Sequence, residues 1–157
     1  MRPGNFPTIR LAQLAMLVFD SAHLFSKIKE AVSVNEIKKW FGVTANDYWH
    51  YHYRFDEPSS FRKKKLGASM TDNIVINTIG QCFSLMVITI MKKYKQKALR
   101  WLEETSAENN SITKGFRQLN IDNKNAFDSQ ALIELKNEYC DKKRCLDCSV
   151  GNSILKA

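Results

Sequence analysis

The chain lacks every common catalytic set. No Ser/His/Asp arrangement, no glycine-rich loop able to cradle a phosphate and no pair of carboxylates in a shared apolar setting occurs in it, so nothing supports an autonomous hydrolase or kinase. It has no internal repeat or low-complexity tract, and no stretch alternates apolar and polar residues strictly enough to predict a half-buried strand. A secretory leader is missing too: Leu11 to Phe19 is apolar but broken by Gln13, and Asp20-Ser21-Ala22-His23 is a poor cleavage site. The longest apolar run, Ile74 to Met91, carries Asn77, Thr78, Gly80, Gln81, Ser84 and Thr89, polar groups that are costly in lipid. These absences predict no membrane association and a cytoplasmic location. Cysteine is scarce, four in all, and in that compartment it serves as thiol or metal ligand rather than as a disulfide framework.

What is present is a core and a basic centre. At 157 residues and 44% hydrophobic content the chain is long enough for one globular domain, and residues 1–157 are read as a single helical domain. The formal charge of +8 is confined to the middle: residues 61–100 hold nine Lys and Arg against one Asp, while the flanking parts are close to neutral. Arg62, Lys63, Lys64 and Lys65 form one run, and Lys92, Lys93, Lys95, Lys97 and Arg100 form the other. Beside Tyr94 and Trp101 such residues suit contact with a phosphate backbone, with rings stacking on bases. The competing reading is the solvated face of an amphipathic helix.

The periodicity is helical nearly throughout. Pro7 followed by Thr8 predicts an N-cap at Thr8 for a helix with Ile9, Leu11, Ala12, Ala15, Met16 and Phe19 on a wide apolar face. A turn or two over His23 to Glu30 follows, then Ser33-Val34-Asn35-Glu36 reads as a capping box, with Gly42 ending that helix in the left-handed conformation. Thr44 is a cap for a helix carrying Tyr48, Trp49, Tyr51 and Tyr53, and Arg54 to Ala68 reads as the most mobile loop. Ile74 to Met91 is predicted as a central buried helix, kinked at Gly80 and continuing to Leu102. After a loop over Ser106–Ser111, helices are expected over Ile112–Leu119 and Lys124–Tyr139, the latter with Phe127, Ala131, Leu132, Leu135 and Tyr139 on one face. The fold class is therefore all-α: an irregular multi-helix bundle around a central hydrophobic helix, with a cysteine-containing C-terminal segment.

Two further patterns are open to more than one reading. Glu36 to Tyr48 resembles a helix-turn-helix around Gly42-Val43-Thr44, but Lys38 stands where that motif needs a small buried residue, which favours a plain αα-hairpin. His50 and His52 lie two apart, so on a helix they diverge, and the aromatic run around them is better suited to packing than to chelation.

Cys140-x4-Cys145-x2-Cys148 is the candidate metal site, with Lys142, Lys143 and Arg144 placed to favour thiolate. The x2 gap lets two sulfurs converge on one ion, and the x4, x2 spacing matches three ligands of an iron–sulfur run. Zinc or an iron–sulfur cluster is the metal reading; small buried thiols beneath a C-terminal cap is the other.

Several motifs occur in a fixed order: Arg2-Pro3-x-Asn5-Phe6-Pro7-x-x-Arg10-x-Ala12-Gln13, Tyr48-Trp49-x-x-His52-Tyr53-x-Phe55, Ile76-Asn77-Thr78, Ser129-Gln130-Ala131-Leu132-Ile133, and Tyr139-Cys140-x4-Cys145-Leu146-x-Cys148-x-Val150-Gly151. Together they resemble the C-terminal part of the uncharacterised bacterial family called domain of unknown function 2851. The resemblance implies a longer parent with an upstream part like a nuclease-type α/β domain, and a chain that begins where the helical half begins. It carries no activity with it. This sequence departs from the family pattern at Gly80-Gln81-Cys82, where a proline is expected, so Cys82 is not carried over as a fourth ligand. The resulting expectation is a non-catalytic helical module that binds a partner protein domain or nucleic acid, with self-association through exposed apolar ends as a further expectation. The alternative is an accessory domain of a nuclease-like enzyme, with zinc or an iron–sulfur cluster at the cysteines.

Overall fold

The computed structural model describes residues 6–85 and 92–155. The protein is all-α, and among the described residues the extended structure is one small hairpin and two isolated β-bridges. It divides into two compact units, Met1–Asn77 and Thr78–Ala157, and the boundary falls inside a helical segment.

In the first unit α1 spans Pro7–Asp20, with Pro7 in the first turn, where its missing N–H costs nothing. The N-cap is Phe6 rather than Thr8; the Thr8 hydroxyl instead donates to the Tyr53 carbonyl at 2.5 Å. The buried residues of α1 are Ile9, Gln13 and Leu17, spaced four apart on one face. This face is narrower than the anticipated one, and Leu11 and Phe19 lie in solvent. Ile9 packs with Ala45 and Trp49 in a small core rimmed by Phe6, Ala12 and Tyr53.

Helices α2 (Leu24–Glu30) and α3 (Val34–Trp40) follow. Ser33 accepts from the Glu36 amide as anticipated, but the Glu36 carboxylate reaches Val32 N–H, one residue beyond a true capping box. Gly42 does not take the left-handed conformation; a side chain there would crowd the Lys39 carbonyl at 3.1 Å. Thr44 caps no helix. It forms a β-bridge to Lys65, and α4 is a single turn, Asp47–His50, with Asn46 at the N-cap position but no side-chain bond to the turn. With Trp49 and His50 of that turn buried, no recognition helix exists there.

Tyr51 and Tyr53 lie outside α4, and the backbone continues into a hairpin of β1 (His52–Arg54) and β2 (Glu57–Pro58) that alternation does not predict. The turn between them places Asp56 in the left-handed region, which aspartate tolerates. The stretch expected to be mobile is fastened by main-chain bonds: Ser59 to Tyr51, Arg62 to His50, Ala45 to Lys64 and Leu66 to Val43. Helix α5 (Ala68–Ile74) closes the unit, with Asp72 paired to Lys38 at 2.7 Å.

The apolar run after α5 widens into a π-helical turn, Val75–Gly80, before α6 (Gln81–Leu85). Val75, Ile76, Ile79 and Phe83 are buried, while Asn77, Thr78, Gln81 and Cys82 are exposed, so the run is not apolar all round. The part of the central-helix expectation at 86–91 lies outside the described residues.

The second unit contains α6, α7 (Lys92–Glu104), α8 (Ser111–Gln118), α9 (Ala126–Glu134), a π-helical extension (Leu135–Cys140) and α10 (Ser149–Leu155). Phe83 and Trp101 pack edge to face at 5.3 Å. Helix α9 rests against α7 and α8, and its fully buried residues are Ala126 and Ser129, whereas Phe127 and Ala131 are exposed. The capping box of this unit is Asn110–Thr113, where side chains and amides bond reciprocally at 3.0 and 3.1 Å.

Candidate functional site

The strongest site lies in the first unit. A cavity of about 480 Å³ is walled by α1 (Ile9, Arg10, Gln13), by Tyr53 of β1, by Arg62, Lys63, Lys64 and Lys65, by Gly67 just before α5, and by Ser69, Met70 and Asn73 of α5. Five of these residues are cationic and none is acidic.

Local bonds explain why the basic run stands at the cavity. Gln13, the polar residue that interrupts the apolar stretch of α1, is 4% exposed. Its amide nitrogen donates to the Lys64 carbonyl at 3.1 Å, and its oxygen accepts from Arg10 at 3.0 Å. The Lys64 amide points to Nδ1 of His50 at 3.5 Å, and its carbonyl also accepts from Ala45. Helix α1 and the α4 turn thereby grip the run from two sides.

Lys64 is the departure from expectation. The sequence places it on a solvated phosphate-binding run, yet it is only 6% exposed. Its Nζ stands 3.7 Å from the centroid of the Tyr53 ring and, among the described residues, has no hydrogen-bond acceptor. A cation–π contact offsets part of the cost of burial, but an ammonium carries three N–H donors. Arg62, Lys63 and Lys65 are exposed. Beside them Phe61 and Tyr51 are also exposed, their rings 5.3 Å apart, and Phe55 caps Trp49 edge to face.

The other basic run belongs to the second unit. Lys95 is exposed, Arg100 is engaged by Glu104 at 2.8 Å, and Lys97 is partly buried with Nζ 4.8 Å from the Trp101 ring. The side chains of Lys92 and Lys93 fall outside the described residues. Charge patterning, which looks only along the chain, does not single out Arg10, Gln13 and Tyr53 as site residues. The signal for them is the motif set that carries the family resemblance.

The two histidines are used for packing. His52 stacks on Tyr48 with centroids 4.0 Å apart and meets the Tyr48 carbonyl at 2.8 Å, whereas His50 is buried beside Phe61.

The three cysteines of the C-terminal segment stand in different settings. Cys140 ends the π-helical extension and is exposed, Cys145 is exposed in the following turn, and Cys148 is buried. Among the described residues no group of three or more His, Cys, Asp or Glu is placed to hold a metal ion. The cations between the cysteines pair with carboxylates: Lys142 with Glu138 at 2.5 Å, and Arg144 with Asp147 at 3.1 Å. Gly151 lies so close to the Cys145 backbone that a Cβ there would collide with its carbonyl oxygen. This close approach seats α10 on the turn. Cys148 lines a cavity of about 710 Å³ together with Phe127, Leu135, Tyr139 and Val150.

Among the described residues, no helix is long and apolar enough to cross a membrane. A family model described as "Protein of unknown function (DUF2851)" matches residues 1–111, which include the whole cationic cavity and stop short of the cysteine segment. No curated protein and no solved structure matches the chain.

Proposed function

From the premise that the chain belongs to the DUF2851 family, whose description names no activity, we propose that it is a non-catalytic helical module that binds single-stranded nucleic acid through the cationic cavity of its first unit. The observation that carries this reading is Lys64: a buried ammonium without an acceptor among the described residues, in the wall of a cavity whose other charged residues are all positive. Phosphate is the anion whose oxygens and charge suit that wall. Exposed Tyr51, Phe55 and Phe61 favour a single strand, because unpaired bases present faces on which rings can stack. We take the bacterial cytoplasm as its place of action.

Fluorescence anisotropy with labelled single-stranded DNA and RNA at two salt concentrations tests the reading. Binding weakens with salt, and the triple change of Arg62, Lys63 and Lys65 to Gln flattens the dependence by about two units of log–log slope, near 0.7 for each phosphate no longer neutralised. Salt-insensitive binding, or none, would end the proposal.

One observation favours a second reading, a partner protein. On α1, Leu11, Leu14, Val18 and Phe19 form an exposed apolar stripe opposite the buried face, with Phe19 84% exposed. Val18→Glu interrupts the stripe without touching the core. Sedimentation of the wild type and this variant across concentrations checks whether a second copy of the chain is the occupant.

A further inference from the structure

Resting on the nucleic-acid reading, we infer that the cavity receives the terminal phosphate of a strand rather than an internal phosphodiester. An internal diester carries one negative charge, has only two free oxygens and continues in both directions, so it lies along an open groove. A terminal monoester carries nearly two charges and three acceptor oxygens, and it continues in one direction only. The cavity matches the second description. Arg62, Lys63, Lys64 and Lys65, four consecutive cationic residues, line one cavity, Arg10 lines it as well, and no acidic residue does among the described residues.

That density of charge exceeds what one diester neutralises. The volume, about 480 Å³, lies within the range of sites that enclose a small molecule, roughly 300–1,000 Å³, and so has room for a nucleotide-sized strand end. Lys64 supplies the discriminating element. Its Nζ lies against the Tyr53 ring with no acceptor among the described residues, and a turn of its last side-chain torsions toward the cavity gives it one when a dianion enters. Ser69 and Asn73 also line the cavity and can serve as neutral donors. Outside it, Phe61 and Tyr51 remain exposed for the bases that follow the terminal nucleotide.

The test uses the full chain and one oligonucleotide sequence in three forms: 5′-phosphorylated, 3′-phosphorylated, and with both ends as hydroxyls. One phosphorylated form is expected to bind about tenfold tighter than the hydroxyl form, the scale of one charge-assisted hydrogen bond. Lys64→Met, which keeps the apolar stem against Tyr53, brings that ratio to about one, and the readout is the ratio rather than the affinity of either form. If Lys64→Met does not fold, Arg62→Gln serves instead, because Arg62 is exposed and the readout is again the ratio. Equal affinity for all three forms overturns the terminal-phosphate inference and leaves the nucleic-acid reading intact. Failure of every form to bind overturns that reading itself.

Discussion

The side-chain amide of Gln13 donates to the main-chain carbonyl of Lys64 across 51 positions of sequence, at 3.1 Å and out of reach of water. A polar residue in the middle of an apolar helix face is thereby the clamp that fixes the basic run.

Gln13→Leu removes the clamp but keeps the volume. The Lys64 carbonyl retains its bond from Ala45, so the loss is one buried hydrogen bond plus the acceptor of Arg10, about 1–2 kcal/mol. Urea denaturation should show the midpoint falling with an unchanged slope, and nucleic-acid affinity should fall with it. An unchanged midpoint would mean that the amide is dispensable.

Lys64→Met is expected to act in the opposite direction on stability. It removes a buried charge that has no acceptor among the described residues and keeps most of the stem, so the folded state gains about 1 kcal/mol even without the cation–π attraction to Tyr53. Thermal unfolding should move up while anion binding weakens. A large drop in melting temperature would show that Lys64 has a structural partner.

Ser129 holds the loop before α8. Its hydroxyl accepts from the Glu108 amide at 2.8 Å and meets the Asn123 side-chain oxygen at 2.9 Å, in a fully buried position. Ser129→Ala strands the Glu108 N–H and costs about 1–3 kcal/mol. Hydrogen exchange at the Glu108 amide is the sharpest readout, since a protected amide becomes fast-exchanging.

The thiols report on α10. With Cys148 buried and Cys82, Cys140 and Cys145 exposed, a thiol reagent should modify three cysteines quickly and the fourth slowly. Gly151→Ala forces a Cβ against the Cys145 carbonyl, so α10 must shift and the slow thiol becomes fast. Four fast thiols in the unaltered protein would contradict the packing of this segment.

Much of the helical framework is legible along the chain. Ser33 before Val34 acts as the cap the sequence predicts, because a short polar side chain can reach an orphan amide wherever the helix lies; Asn110 before Ser111 does the same in a stretch that reads along the chain as a loop. Their effect is local, so tertiary context does not alter it. Thr8 and Thr44 carry the same chemistry and cap nothing, because each is drawn to a partner distant in sequence, Tyr53 and Lys65. The buried face of α9 departs from the expected one for a related reason. Size and apolarity favour Phe127, but the face that is buried carries Ala126 and Ser129, the latter bonded to the Glu108 amide and the Asn123 side chain.

By itself, the order of residues determined the helical class, the confinement of positive charge to residues 61–100 and the motif set that identifies the family, because each depends on composition or on neighbours a few positions apart. Only the tertiary structure decided that Arg62 to Lys65 face a cavity, that Lys64 is withdrawn from water onto Tyr53, and that Arg10 and Gln13 belong to the same site. The reason is distance along the chain. Burial of a charge depends on what α1 and the hairpin bring over it, and no pattern within the basic run encodes residues some fifty positions away.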